Sequence, residues 1–196
     1  ERSRDLKSKA HARNALALSY IESGQLSEAI ESLQKAIELY EQLGDYSGLI
    51  TANSNLGGCL QYFGDLDAEA KHYKIAFDVS KQMENVLWMA ISSSNLAELY
   101  IIWGEFEEAI NHLNIVTDAY KQKQCSPAIA GFSFINLCRC QMMQKDYQAA
   151  FDSIQQGIAI LKELGATGLL VEADLQLVEL WLAEGKTREA LDSCRQ

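Results

Sequence analysis

A glycine returns at a fixed interval along this chain, and the interval constrains the fold more than any other feature of the sequence. Gly24, Gly64, Gly104 and Gly185 stand 40 residues apart, or 41 in one step, once Lys145 is counted in the slot before the last of them. The surrounding text recurs as well: SGQLSEAI, FGDLDAEA, WGEFEEAI, QKDYQAAF and EGKTREAL. Each reads as a helix stop, a tight turn and a helix start, with Ser27, Asp67, Glu107 or Arg188 near the beginning of the next helix. Self-similarity at such a period marks a chain built from one repeated supersecondary unit.

The residues at fixed offsets from the turn support this. Eight before it stand Leu16, Leu56, Leu96, Leu137 and Leu177, each followed by a smaller residue, Ala17, Gly57, Ala97, Cys138 or Val178. Four before it are Tyr20, Leu60, Tyr100, Gln141 and Trp181; five after it are Ala29, Glu69, Ala109, Ala150 and Ala190. Nine after it are Leu33, Tyr73, Leu113, Ile154 and Cys194. Offsets of three, four and seven trace one helix face. Small residues let two antiparallel helices approach, and large ones fill the space beside them. One such hairpin cannot bury its own face, whereas five stacked hairpins bury a continuous core.

The pattern of a leucine–small pair, an aromatic four before the turn and alanines after it resembles the tetratricopeptide repeat over roughly residues 8 to 195. That family's usual repeat is 34 residues. The period near 40 is similar to its longer-repeat branch, which includes kinesin light chain, spindle-orientation adaptors, peptide-pheromone receptors and sensor arms of bacterial regulators. The resemblance implies an all-α, right-handed superhelical solenoid of five antiparallel helix pairs. We read one domain over 1–196 with repeats at 8–43, 47–83, 87–123, 128–164 and 168–196. First helices are expected at 8–23, 47–63, 87–103, 128–144 and 168–184, and second helices at 27–43, 67–83, 107–123, 148–164 and 187–195. Ser126–Pro127 reads as a capped start, and Gly44 and Gly165 as stops between repeats. Glu69, Gln141 and Lys145 depart from their columns.

Composition agrees. Among 196 residues, 48% are apolar and one is proline, Pro127, which suits a helical chain with a substantial core. No stretch reads as long enough to cross a bilayer. A net charge of −10 argues against a nucleic-acid backbone as partner. The five cysteines are an odd number, and Cys138-x-Cys140 within a helix would point its thiols to different faces, which disfavours a zinc pair. Small buried thiols in a reducing cytoplasm is the reading we take. His72 and His112 share one place in successive repeats, on second helices, and are expected to face outward. No metal-binding spacing, phosphate loop or catalytic triad is legible, so neither cofactor nor enzyme activity is expected. A first residue other than Met and a last residue inside a helical pattern suggest a piece of a longer protein.

In the family this chain resembles, first helices line a concave groove. One column matched to it stands out: Ala15, Asn55, Asn95, Asn136 and Gln176. Asparagine is a mediocre helix former, so propensity does not explain its return. A carboxamide both donates and accepts, and so matches a peptide unit. Helices 8–10 Å apart against an extended peptide rising about 3.3 Å per residue would let each repeat grip one peptide unit in about three. The other reading is that these amides tie neighbouring repeats together. The remaining candidate groove residues are Tyr62, Glu98, Ile102, Phe132, Arg139 and Met143; apolar ones would make side-chain pockets, and Arg139 would pair with a ligand acid or with Glu98 or Glu179. We expect a protein- or peptide-binding scaffold. The alternatives are a ligand-sensing arm of a multidomain bacterial regulator, and an architectural element packing on further repeats. Neither nucleic acid nor membrane is expected as a partner.

Overall fold

The computed structural model describes residues 2–193. Cys194, which the repeat assigns to the packed face of the last helix, lies outside them. Ten helices follow one another: α1 (Arg2–Glu22), α2 (Leu26–Leu43), α3 (Tyr46–Gln61), α4 (Leu66–Gln82), α5 (Val86–Trp103), α6 (Phe106–Lys121), α7 (Pro127–Met143), α8 (Tyr147–Leu164), α9 (Thr167–Ala183) and α10 (Thr187–Ser193). Every expected helix is present with ends within a few residues, except that α1 begins at Arg2 rather than near residue 8. Its first turns carry no helix breaker, and Lys9 Nζ donates to Asp5 Oδ2 at 2.7 Å one turn away, the favourable (i, i+4) spacing.

Helices α1–α9 all stop in the same way. Gly24, Gly44, Gly64, Gly104, Gly165 and Gly185 all take φ between 64° and 77°, the left-handed conformation that ends a helix and suits glycine. Lys145 takes φ 64° in the slot the period assigns to it, and Glu84 and Lys123 (φ 53° and 59°) do so between repeats. The next helix begins at once. Asp65 and Asp146 cap two of these starts, their carboxylates accepting from the backbone N–H of Ala68 and Ala149 at 3.1 Å. Ser126 caps α7 as expected, accepting from Ala128 N at 3.2 Å with Pro127 in the first turn.

The contacts divide the chain into two compact units, Glu1–Ser92 and Ser93–Gln196. In the first, α1 packs on α2, α2 on α3 and α3 on α4, and α1 also meets α3. Its core joins Ala17, Ala29, Leu33, Ala36, Tyr40, Leu56 and Cys59. Two helix glycines set its close approaches: a Cβ on Gly48 would stand 2.2 Å from Tyr40 Cδ1, and one on Gly57 2.5 Å from Tyr73 Cε1. In the second unit α6 packs on α7, α7 on α8, α8 on α9 and α9 on α10, and α7 meets α9. Ala97, Ala109, Leu113, Phe134 and Cys140 form one cluster there; Ile135, Cys138, Ile154, Leu161 and Leu180 form another. Full burial of a leucine or isoleucine side chain is worth about 1.5–3 kcal/mol, so these columns hold the stack.

Two expectations are corrected here. Helix α5, with 18 residues and mean hydropathy 1.2, is long and apolar enough to cross a membrane by length and composition; in the fold it buries Ala90, Ser92, Ser93, Leu96, Ala97 and Leu99. The two histidines do not face outward. His72 Nδ1 donates to Asn53 Oδ1 at 2.8 Å, and Asn53 Nδ2 donates in turn to the Leu49 carbonyl at 2.9 Å. His112 lies 3.3 Å from Ser93 Oγ and stacks on Tyr100 with ring centres 5.4 Å apart. The same column holds Ser32 and Ser153, both buried, so it is a polar seam between the two helices of a hairpin. Burial lowers the pKa of both imidazoles.

Candidate functional site

The carboxamide column survives in the structure as a set of ties between alternate helices. In the first unit Asn55 Nδ2 on α3 donates to Asn14 Oδ1 on α1 at 3.4 Å. In the second unit the link runs through Arg139. On α7, Asn136 and Arg139 are three residues apart; on α9, Glu172, Gln176 and Glu179 follow at (i, i+4, i+7). Each set therefore shares one helix face.

Arg139 is the hub. Its Nε donates to Gln176 Oε1 at 3.3 Å, its Nη1 to Asn136 Oδ1 at 3.4 Å, and its Nη2 lies 3.6 Å from Glu172 Oε1. Charge-assisted bonds ordinarily run about 2.7–2.9 Å, so all three contacts are long. Gln176 Nε2 donates to Glu179 Oε2 at 3.0 Å and touches Met142 Sδ at 3.3 Å. Asn136 and Gln176 are almost wholly buried. Asn136 Nδ2 nonetheless has no hydrogen-bond partner, and an orphaned buried donor costs about 1–3 kcal/mol. Glu98 on α5 belongs to the same group. Burial, then the neighbouring Glu172 charge, pushes its carboxyl above the usual range, while Arg139 pulls the other way. Arg139 thus pairs internally, with Glu172 rather than Glu179 and with Glu98 close by.

The other sequence candidates fall as follows. Tyr62, Ile102 and Met143 are well exposed, at 73%, 59% and 60%. Asn95, Phe132 and Glu98 are half-buried. Asn55 and Tyr62 belong to the first unit; Asn95, Glu98, Ile102, Phe132, Asn136, Arg139, Met143 and Gln176 belong to the second. Sequence reasoning gave Glu172 no role, and the structure makes it the ion-pair partner of Arg139. A signal was there: Glu172 and Glu179 flank Gln176 by one turn and by three residues.

The cysteines beside this group are fully buried. Burial pushes the Cys138 thiol up to about 12 and Cys140 up to about 11, and the two lie in different core clusters. Among the described residues, no group of three or more His, Cys, Asp and Glu is placed to hold a metal ion. A cavity of about 650 Å³ opens elsewhere, against α1 and α2, lined by Lys9, Ala12, Arg13, Leu16, Lys35, Glu38 and Leu39. Leu16 is 40% exposed there, whereas Leu56, Leu96 and Leu137 of the same column are buried. That cavity is the uncovered side of the first hairpin and lies apart from the amides.

Residues 8–82 match the profile of the tetratricopeptide repeat. No curated protein matches the chain in sequence. Several solved structures share its fold. The nearly identical TPR-like repeats of a Podosopora anserina protein described as a kinesin light chain superpose with a TM-score of 0.77 at 20% identity, covering 100% of this chain and 94% of that one. Aspartyl phosphate phosphatase F from Bacillus subtilis gives 0.76 at 17% identity over 98% of this chain and 50% of its own. A Rap protein complexed with competence and sporulation factor gives 0.72 at 16% identity over 94% of this chain and 52% of its own. The chain thus spans about half the length of these last two. Residues 8–82 thus match the tetratricopeptide repeat, and the chain as a whole shares the all-α fold of helical hairpins seen in these structures.

Proposed function

We propose that this chain binds an extended peptide or a partner protein, and that the amide-bearing face of the second unit is where it grips. The observation that carries this reading is Asn136. Its Oδ1 is occupied by Arg139, while its Nδ2 is buried without a partner and matches the carbonyl oxygen of a peptide unit. The exposed apolar side chains Ile102 and Met143, on α5 and α7, supply surface for ligand side chains, and methionine adapts to varied shapes. The long contacts of Arg139 make the ties between α7 and α9 easy to re-pair when a ligand arrives. A reducing, cytoplasmic setting suits the four described cysteines, all free thiols.

Selection of a displayed random 12-residue peptide library on the folded chain tests the reading. Binders are expected to emerge and to be lost on Asn95→Ala/Asn136→Ala, with helix content and thermal midpoint nearly unchanged. A library that enriches nothing ends the peptide reading. A midpoint that drops by many degrees makes the amides structural ties instead.

A further inference from the structure

The face around Arg139 carries more negative charge than it neutralises. Glu172 pairs with the Arg139 guanidinium, Glu179 accepts from Gln176, which Arg139 also reaches, and Glu98 lies near enough to feel the charges of both Glu172 and Arg139. The only cation in it is held by contacts of 3.3, 3.4 and 3.6 Å. A second feature adjoins the same group: the amide of Asn136, 1% exposed, whose oxygen accepts from Arg139 and whose nitrogen has no hydrogen-bond partner.

These two features ask for different things on one ligand. Surplus carboxylates in partly desolvated surroundings favour a cation, since Coulomb attraction strengthens as the local dielectric falls. The orphaned amide nitrogen favours a carbonyl oxygen. An extended peptide residue with a basic side chain offers both. We propose that the second unit recognises a peptide through a lysine or arginine side chain seated among Glu98, Glu172 and Glu179, with a backbone carbonyl of that peptide accepting from Asn136 Nδ2. This rests on the peptide-binding reading above. In the empty state Arg139 stands where the ligand's cation goes, and it swings aside on binding. The chain's net charge of −10 steers basic partners toward it and repels acidic ones.

The same 12-residue library separates this proposal from the reading it rests on. Enriched peptides are expected to share a basic residue at one position. The best of them, made synthetically and labelled, should lose at least tenfold in affinity when that residue becomes methionine. Glu98→Gln/Glu172→Gln, which keeps shape and removes charge, should cause a similar loss and flatten the salt dependence of binding. Arg139→Met should tighten binding severalfold, because it removes the competing cation; a purely structural Arg139 would give weaker binding instead. Enriched peptides with neutral or acidic residues throughout would overturn the cation site while leaving peptide binding in place. An empty selection would overturn peptide binding itself.

Discussion

Gly57 and Gly58 are adjacent on α3, yet alanine should act on them in opposite directions. In a helix interior, replacing glycine by alanine gains about 0.5–1 kcal/mol, because alanine loses less backbone freedom on folding. At Gly58 the new methyl would meet only Tyr73 Oη at 3.7 Å, an ordinary contact, so the full gain is expected. At Gly57 it would stand 2.5, 2.7 and 2.9 Å from three carbons of the Tyr73 ring. Restoring about 3.5 Å of separation requires the ring to retreat by roughly 1 Å, and Tyr73 is only 5% exposed. Overpacking of this kind costs about 1–3 kcal/mol, and a rigid ring without an open side puts the cost in the upper part of that range. The net effect of Gly57→Ala is then a loss of about 1–2 kcal/mol, so the two neighbours differ by about 2–3 kcal/mol. For a protein of this size each kcal/mol moves the thermal midpoint by about 2–4 °C, which a circular-dichroism melt resolves easily. In a Tyr73→Leu background the ring is gone and Gly57→Ala should become stabilising. If Gly57→Ala raises the midpoint of the otherwise native chain as much as Gly58→Ala does, the tight approach between α3 and α4 does not govern packing here.

Two further outcomes are expected. Glu84, Lys123 and Lys145 hold the left-handed conformation that glycine holds at the other six turns, at a cost of about 1 kcal/mol each; replacing any one with glycine should raise the urea midpoint, and Gly104→Ala should lower it. Burial holds the pKa of His72 and His112 below the ordinary 6.5, against a smaller opposing effect of Glu108 on His112. The unfolded chain therefore binds more protons in the window just below pH 6.5, and stability falls as the pH drops through it, levelling off below the folded-state values. His72→Gln/His112→Gln should flatten that slope in urea titrations taken at successive pH; an unchanged slope would place the histidines in water.

Much of the fold was legible because a glycine in a left-handed turn leaves a visible mark. The six glycines gave the stops directly, and Lys145 was found only because the register demanded something there. Glu84 and Lys123 escaped notice, since a charged residue in that conformation looks like any other surface residue. Counting them, the chain turns about every 20 residues, twice in each repeat. The orientation of His72 and His112 was misread for a related reason: imidazole was taken for a surface group, although Ser32 and Ser153 in the same column hinted at a polar seam facing the partner helix. At the candidate site the sequence exposed the amide column and the lone Arg139. Which carboxylate that guanidinium reaches depends on rotamers meeting across α7 and α9, and one-dimensional spacing does not encode those.

The packing partners in each unit are chain neighbours or next-but-one neighbours, and this local wiring sets how the molecule should assemble and come apart. Few loops of any length must close before contacts form, so the entropic toll of loop closure stays small and folding should be fast for a chain of this size. Any hairpin can serve as a seed and recruit the one beside it. On heating, hydrogen exchange within each unit should therefore report protection lost hairpin by hairpin rather than all at once.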